Sequence, residues 1–485
     1  MESGGSWAER LVRGPSWPRF TAALRGVQER PSCPTFTSLT STSPKTGSLT
    51  LMNGTGGGSD SRLSMPPYAE VFRSRAYVAI FITAALSTWG DYLARVTVAV
   101  FVFERTGSPL AAAATFAVSL LPSIFGRSLL APIADRIPYK YVLIAANLLR
   151  AVLVGGLILA VSTQDTSAPT GSSSISVLWW LFALLFLIEL VGGPAIAASQ
   201  ILMTDLFSDR RLYARALGLR TMSDQVNQAI GLGLGGLVVA WVGPALGLWA
   251  DLMTFVLSAL VVALVVRVEA IRGTPSAGVV GFFRDIGEGA RYLFHHRVLA
   301  SLLALSLCSV WAIAAPEAVA IAYAKDESGS AGLGGLLMAA PILGTVLGLV
   351  MVGRWQPERQ NSRMIVLALL MPLPLIGTVF APPVLLAWLL WFVCGVLQAF
   401  MLPLQSTFSL VIPAQMRGRV FGLAGALSVA ASGVAFLVAG ALAEHTSPAW
   451  AVAICAVASL LAIVVLAVRW PRAALSLAVD AAYNS

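Results

Sequence analysis

A chain of 485 residues with 57% hydrophobic and only 11% charged side chains has a mean hydropathy of +0.80. Soluble domains carry about 25% charged residues, so a water-soluble globule and a wholly disordered chain are both excluded. The net charge of +9 would suggest nucleic acid in a soluble protein, but the positions of the basic residues give it another origin.

Residues 1 to about 65 are rich in Ser, Thr, Gly and Pro and lack the apolar run of a secretory signal. They predict a disordered polar tail, with Met52 and Met65 as alternative starts. Twelve apolar segments follow, at about 77–103, 108–134, 139–162, 177–206, 214–241, 245–266, 298–323, 332–353, 363–380, 384–411, 418–443 and 448–469. Each is near the ~20 residues that cross a bilayer as a helix. Runs of Leu, Ala, Val and Gly without alternation predict helices rather than a β-barrel.

The longest connection, about 267–297, sets Phe282, Phe283, Ile286, Ala290, Leu293 and Phe294 at helical spacing, with Arg284, Arg291 and Arg297 among them. That pattern predicts an interfacial amphipathic helix. It divides the chain into a six-helix bundle over 66–266, a cytoplasmic linker over 267–297, a second six-helix bundle over 298–472 and a short cytoplasmic tail over 473–485.

The basic residues set the orientation. Of 32 Lys and Arg residues, 20 flank the spans on one side and only Arg105 and Lys325 lie on the other. Placing the rich side in the cytoplasm puts both termini there in a multi-pass cell-membrane protein, and makes the net charge a matter of topology. An internal repeat supports two equivalent halves: Arg215, Gly218, Leu219 and Gly236 of span 5 recur in register as Arg419, Gly422, Leu423 and Gly440 of span 11.

Cysteines and histidines contribute no chemistry. Cys33, Cys308, Cys394 and Cys455 have neither metal-ligand nor redox spacing, and His295, His296 and His445 are too dispersed for a metal site. No Gly-rich loop ends in one of the three lysines, Lys45, Lys140 and Lys325, and there is no Gly-x-Ser-x-Gly elbow, so an ATPase or hydrolase is not expected.

The loop after span 2 reads Ala131-Pro132-Ile133-Ala134-Asp135-Arg136-Ile137-Pro138-Tyr139-Lys140. It resembles the signature Gly-x-Leu-Ala-Asp-Arg-x-Gly-Arg-Arg/Lys of the major facilitator superfamily: Asp135, Arg136 and Lys140 match, and Ala131, Pro138 and Tyr139 depart. The approach to span 11, Val411-Ile412-Pro413 followed by Arg417-Gly418-Arg419-Val420-Phe421-Gly422, is similar to the macrolide-efflux and enterobactin-exporter branch. So are Gly90-Asp91 with Arg95, and Leu148-Leu149-Arg150-Ala151. The resemblance covers about residues 68–470 and implies an all-α fold of twelve transmembrane helices in two pseudo-symmetric bundles, around a cavity open alternately to each side. Span 5 has Gly231-Leu232-Gly233-Leu234-Gly235-Gly236 where exporters of the superfamily carry Gly-Pro-x-x-Gly-Gly. Leu232 replaces the proline, while Gly231, Gly235 and Gly236 keep the small surface that close helix packing needs.

An ionisable group at bilayer depth costs roughly 2.5–3.5 kcal/mol and belongs beside a cavity or a partner. Asp91 and Arg95 share a face of span 1 one turn apart, and Arg220 and Asp224 repeat the spacing in span 5. Glu189 lies in span 4, Asp251 in the outer part of span 6, Glu317 in span 7, and Gln398 and Gln405 in span 10. The resemblance implies that spans 1, 4, 7 and 10 line the cavity. Either the i,i+4 pairs are structural, or they join Glu189 and Glu317 in a substrate and proton cavity, where these two carboxylates, lacking same-helix partners, are the titrating groups. Asp135, Arg136, Lys140, Arg150, Arg417 and Arg419 are read as a conformational gate at the inner membrane edge, or as topology determinants alone. Trp89 and Tyr92 flank Asp91 and either stack on a substrate or pack.

Together these features point to a monomeric secondary transporter in the lipid bilayer, a proton-coupled exporter of amphipathic small molecules. An uptake permease for a lipid or nutrient, and a non-transporting receptor or scaffold, are the alternatives. No cofactor, metal or nucleic-acid partner is expected. The topology is checked by cysteine accessibility in intact cells. A cysteine at Thr166 should label from outside and one at Glu358 only after permeabilisation; the reverse pattern would overturn the orientation.

Overall fold

The structure, a computed structural model, describes residues 68–134, 137–163, 172–207, 209–266, 278–413, 415–471 and 475. The predicted tail, Asp135, Arg136, residues 267–277 of the linker and nearly all of 473–485 lie outside the described residues.

The described residues form helices and no strands. A short α1 (Tyr68–Val71) leads into α2 (Arg75–Thr106), α3 (Pro109–Ala134), α4 (Tyr139–Ser162), α5 (Ser172–Leu206), α6 (Arg210–Val242) and α7 (Pro244–Val265). α8 (Gly278–His295) is the predicted linker helix. The second half holds α9 (Arg297–Ser328), α10 (Leu333–Gly353), α11 (Pro357–Leu370), α12 (Leu373–Ile376), α13 (Val384–Leu397), α14 (Met401–Val411), α15 (Arg417–His445) and α16 (Pro448–Val468). α11 with α12 makes one span, and α13 with α14 another.

Ten of these segments are long and apolar enough to cross a membrane unaided. α2 and α3 complete the twelve. α2 spans 32 residues, its hydropathy diluted by the Asp91 and Arg95 it carries inside. α3 contributes the apolar stretch Pro109–Pro122.

Local chemistry sets the ends. Ser74 caps α2 by accepting from the Tyr77 amide at 3.3 Å, and Ser447 caps α16 by accepting from the Trp450 amide at 3.3 Å. Gly107 turns the chain out of α2 at φ 64°, and Gly243 reverses it between α6 and α7 at φ 86°, angles that disfavour a side chain.

Two predicted spans are not continuous. The segment 363–380 breaks after Leu370 where Pro372 and Pro374 withhold backbone donors, and 384–411 narrows to a 3₁₀ turn at Gln398–Phe400 ahead of Pro403. A proline leaves the carbonyl four residues earlier without its helical donor.

α2 packs along α6 and α7, α4 along α5 and α7, α9 along α15 and α16, and α10 along α13. The halves meet through α3 with α15 and α6 with α10. These contacts are tight toward the end of the molecule that carries the α2–α3 turn. A Cβ on Gly236 would meet the Gly335 Cα at 2.8 Å, and one on Gly440 would meet the Leu110 Cα at 3.0 Å. Phe116 of α3 stacks on Phe436 of α15 at 5.8 Å, and Glu444 of α15 accepts from the Ser108 hydroxyl at 2.7 Å and the Leu110 amide at 3.3 Å.

At the opposite end of the same helices, Gly218 of α6 and Gly418, Gly422 and Gly425 of α15 face open space within 4 Å. The halves are thus packed backbone to backbone at one end, while these four glycines at the other end are uncrowded.

Backbone proximity at α10–α13 makes a direct test of packing. A Cβ on Gly395 would lie 2.7 Å from the Pro341 Cα, whereas one on Gly377 would meet only the Leu390 side chain at 3.5 Å. Gly395→Leu should cost about 1–3 kcal/mol and lower the thermal midpoint of the detergent-solubilised protein, while Gly377→Ala leaves it near wild type.

Candidate functional site

Ser87, Asp91 and Arg95 fall at four-residue steps on one face of α2. That face meets α4, α5 and α7 in the first half and looks toward α9 of the second. The helices approach closely because glycines stand at the crossings. A Cβ on Gly90 would collide with the Asp251 carboxylate and the Thr254 hydroxyl of α7, and one on Gly192 of α5 would lie 3.2 Å from Arg150 Nη2.

Two guanidiniums organise the charges, each across helices. Arg150, midway along α4, donates to Asp91 Oδ1 at 2.5 Å, to the Ser87 hydroxyl at 3.0 Å and to the Ile188 carbonyl at 3.1 Å. Its flat face rests on the Phe255 ring of α7 at 4.4 Å. Arg95 of α2 donates to Glu189 Oε1 of α5 through both Nε, at 2.9 Å, and Nη2, and covers the Tyr92 ring at 4.9 Å. All four side chains are at most 18% exposed.

This differs from the simplest expectation of the sequence. Asp91 and Arg95 share a face but each pairs with a neighbouring helix: their one-turn spacing allows an exposed i,i+4 contact, and helix packing supplies better-oriented partners. Glu189 does not stand alone; Arg95 holds it. Arg150 sits with the interior charges rather than with a gate at the membrane edge, because its position is mid-helix.

Glu317 of α9 makes no hydrogen bond or ion pair with a described residue; the charge that acts on it is Arg95. Arg220 donates to the Ser199 hydroxyl of α5 at 2.7 Å and lies 4.0 Å from Asp224, which is 46% exposed. Such an open pair contributes little stability; the Arg220–Ser199 bond is what ties α6 to α5. Trp89 donates to Asn227 of α6 at 2.7 Å, a packing contact. Gln398 accepts from the Thr345 hydroxyl of α10 at 2.7 Å, and Gln405 is exposed.

The described members of the predicted gate, Lys140, Arg150, Arg417 and Arg419, do not gather. Lys140 donates to the Ala263 carbonyl at 2.7 Å, Arg417 donates to the Ile412 carbonyl at 3.2 Å, and Arg419 pairs with Glu288 of α8. Asp135 and Arg136 lie outside the described residues. Of the small residues, Gly231 and Gly235 seat α6 on the backbone of α2 at Trp89 and Leu93, and Gly236 seats it on α10.

Sequence reasoning left Asp251 out of the cavity and Ser87 unnoticed. The signal for Asp251 was present, a carboxylate inside the otherwise apolar α7; nothing in its spacing indicated that Gly90 would admit it to the charge cluster.

Twelve membrane-spanning helices around an internal set of buried charges define a membrane transporter. Residues 80–432 and 318–480 match the Major Facilitator Superfamily, and the chain belongs to that family. The "Multidrug efflux pump Tap" of Mycobacterium tuberculosis (strain ATCC 25618 / H37Rv) is 27% identical over 390 residues, covering 77% of this chain and 88% of the relative. The "Uncharacterized MFS-type transporter YfmI" of Bacillus subtilis (strain 168) is 25% identical over 248 residues, 49% of this chain and 56% of the relative. Among solved structures, a bacterial homologue of the iron transporter ferroportin in an inward-facing state superposes with a TM-score of 0.62 at 19% identity, covering 82% of this chain and 98% of that one. The nucleoside transporter NupG superposes with a TM-score of 0.62 at 14% identity, covering 82% and 98%. At such identities the likeness is one of fold.

Removing one partner of a buried ion pair strands the other's charge at a cost of about 3–5 kcal/mol. Arg150→Gln should therefore lower the thermal midpoint and the yield of folded protein sharply. Adding Asp91→Asn to it should restore part of the loss, as scored by fluorescence-detected size exclusion on a temperature series.

Proposed function

We propose that this chain is a proton-coupled exporter of amphipathic small molecules, drugs, antibiotics or secondary metabolites, that works as a monomer by alternating access in the cell membrane. The observation that carries the reading is the pairing of Arg95. Its guanidinium is bound to Glu189 in the first half, while Glu317 of the second half, within reach of its charge, has no hydrogen-bond or ion-pair partner among the described residues. One cation with two candidate carboxylates on different halves couples protonation to the relative position of those halves. Burial raises a carboxylate's proton affinity and a nearby guanidinium lowers it, so moving Arg95 between them transfers the preference for a proton.

The reading takes residues 66–266 and 298–472 as rocking units joined by 267–297, with both termini in the cytoplasm. The uncrowded end of the molecule is then the cytoplasmic one, where the basic flanks lie, and the tightly packed end faces outward. Lys140, Arg417 and the Arg419–Glu288 pair stand at that cytoplasmic end. The 27% identity to pumps named for multidrug efflux supports export and an amphipathic cargo.

Vesicles reconstituted with the purified protein under an imposed pH gradient test this, with ethidium, a macrolide and a tetracycline as probes. Wild type should accumulate at least one of them against its gradient. Glu317→Gln should abolish uphill accumulation and leave exchange at equal pH intact. Gradient-driven uptake at the wild-type rate in both Glu317→Gln and Glu189→Gln would remove both carboxylates from the coupling step. Wild-type vesicles that move none of the three probes would overturn the exporter reading.

A further inference from the structure

Asp251 of α7 is 1% exposed, and among the described residues neither of its carboxylate oxygens meets a hydrogen-bond partner. The Thr254 hydroxyl beside it donates to the Asp251 backbone carbonyl at 2.7 Å. A buried ionised carboxylate with no partner is among the costliest groups a protein interior can hold, and α7 lies within a membrane span. Yet Asp251 sits against Gly90, the residue before Asp91, and the Arg150 charge that binds Asp91 also reaches it. Phe255, one turn further along α7, carries the face of that guanidinium at 4.4 Å.

We propose that Asp251 and Asp91 share one proton and one guanidinium, and that Arg150 passes from Asp91 to Asp251 as the transporter changes state. In the arrangement seen here Arg150 is bound to ionised Asp91 and Asp251 carries the proton. In the other, Asp91 carries the proton and Arg150 is bound to ionised Asp251. The conversion moves one proton from Asp251 to Asp91 and shifts one cation the opposite way, so the charge of the trio is the same at both ends. Neither carboxylate is left both ionised and unpaired.

The groups that face the trio fit this exchange. Arg150 comes from α4, Asp91 from α2 and Glu189 from α5, and these are the charges acting on Asp251. Arg95, which also acts on Asp91, is itself held by Glu189. Among the described residues Arg150 is thus the one cation acting on both aspartates whose bound carboxylate is one of the two. Its other bonds, to the Ser87 hydroxyl and the Ile188 carbonyl, are neutral, and Phe255 offers a flat surface along which the guanidinium can slide. Gly90 and Gly192 admit the Asp251 carboxylate and the Arg150 guanidinium close against α2 and α5, which holds both carboxylates near the one cation. Asp251 thereby becomes a second proton-bearing site, inside the first half and separate from Glu317. Its use in transport rests on the proton-coupled reading above.

The test requires no transported compound. The full chain, with aspartate isotope-labelled at the side-chain carboxyl, is placed in lipid nanodiscs and the infrared C=O stretch of protonated aspartic acid is recorded near neutral pH. Wild type should show a label-sensitive band that Asp251→Asn removes; Asp251→Ser serves where the Asn variant does not fold. Asp91→Asn should also remove it, because Arg150 is released to Asp251, which then ionises. A band that survives in the Asp251 variants overturns the assignment. A band undiminished in Asp91→Asn overturns the exchange and leaves Asp251 a fixed neutral acid. A chain that moves no probe in vesicles but shows both losses keeps this inference and loses the exporter reading, so the two failures are distinguishable.

Discussion

Charge neutralisation in a medium without water is the constraint on which the rest of this structure depends. The Coulomb attraction between a guanidinium and a carboxylate grows as the dielectric falls, but so does the penalty for either alone. Arg95 and Arg150 therefore fix the distances between four helices. α2 must bring Asp91 within reach of α4, α5 must bring Glu189 within reach of α2, and α7 must come close enough to lay Phe255 under Arg150. Glycine at positions 90 and 192 is the geometric answer to that demand. The first half is in this sense assembled around its ions, whereas the second is packed around apolar bulk such as Trp391, Tyr323 and Phe400.

Arg95 and Arg150 each have one carboxylate bound and a second within electrostatic reach. For Arg95 these are Glu189 and Glu317, and for Arg150 they are Asp91 and Asp251. A single fully matched pair is a staple. A cation with a choice is bistable, and packed interiors convert such a choice into discrete states rather than graded ones. On the proposed reading the two differ in reach: one links the halves and the other lies within a half, so the first follows the position of the bundles and the second the packing of α2 against α7.

The fold was legible in the sequence because its determinants are long and redundant. A span of ~20 apolar residues tolerates an error of several positions, and the Lys and Arg bias averages over many loops. The interruptions at Pro372 and Pro403 were readable in principle but hidden by the apolar run around them. The site was legible in inventory and not in connectivity. Asp91, Arg95, Glu189 and Glu317 declare themselves by being charged at depth, but which pairs form is decided by rotations of whole helices. Spacing within one helix carries no information on that. Arg150 shows the limit well, since its local motif suggested the membrane edge and its depth in α4 put it in the interior.

The tight end of the interface between the halves is built largely from backbone. Where α6 meets α10 and α3 meets α15, glycine brings main chain against main chain, and a side chain there would have nowhere to go. At these crossings main chain does most of the packing, with the Phe116–Phe436 stack and the Glu444–Ser108 bond beside it. Main-chain surfaces in van der Waals contact forfeit about a quarter to a half of their attraction within an ångström of separation, so on the proposed reading these faces part as rigid wholes. Heat and lateral pressure from the bilayer, acting on entire helices, would set the frequency of that event more than any single residue at the seam.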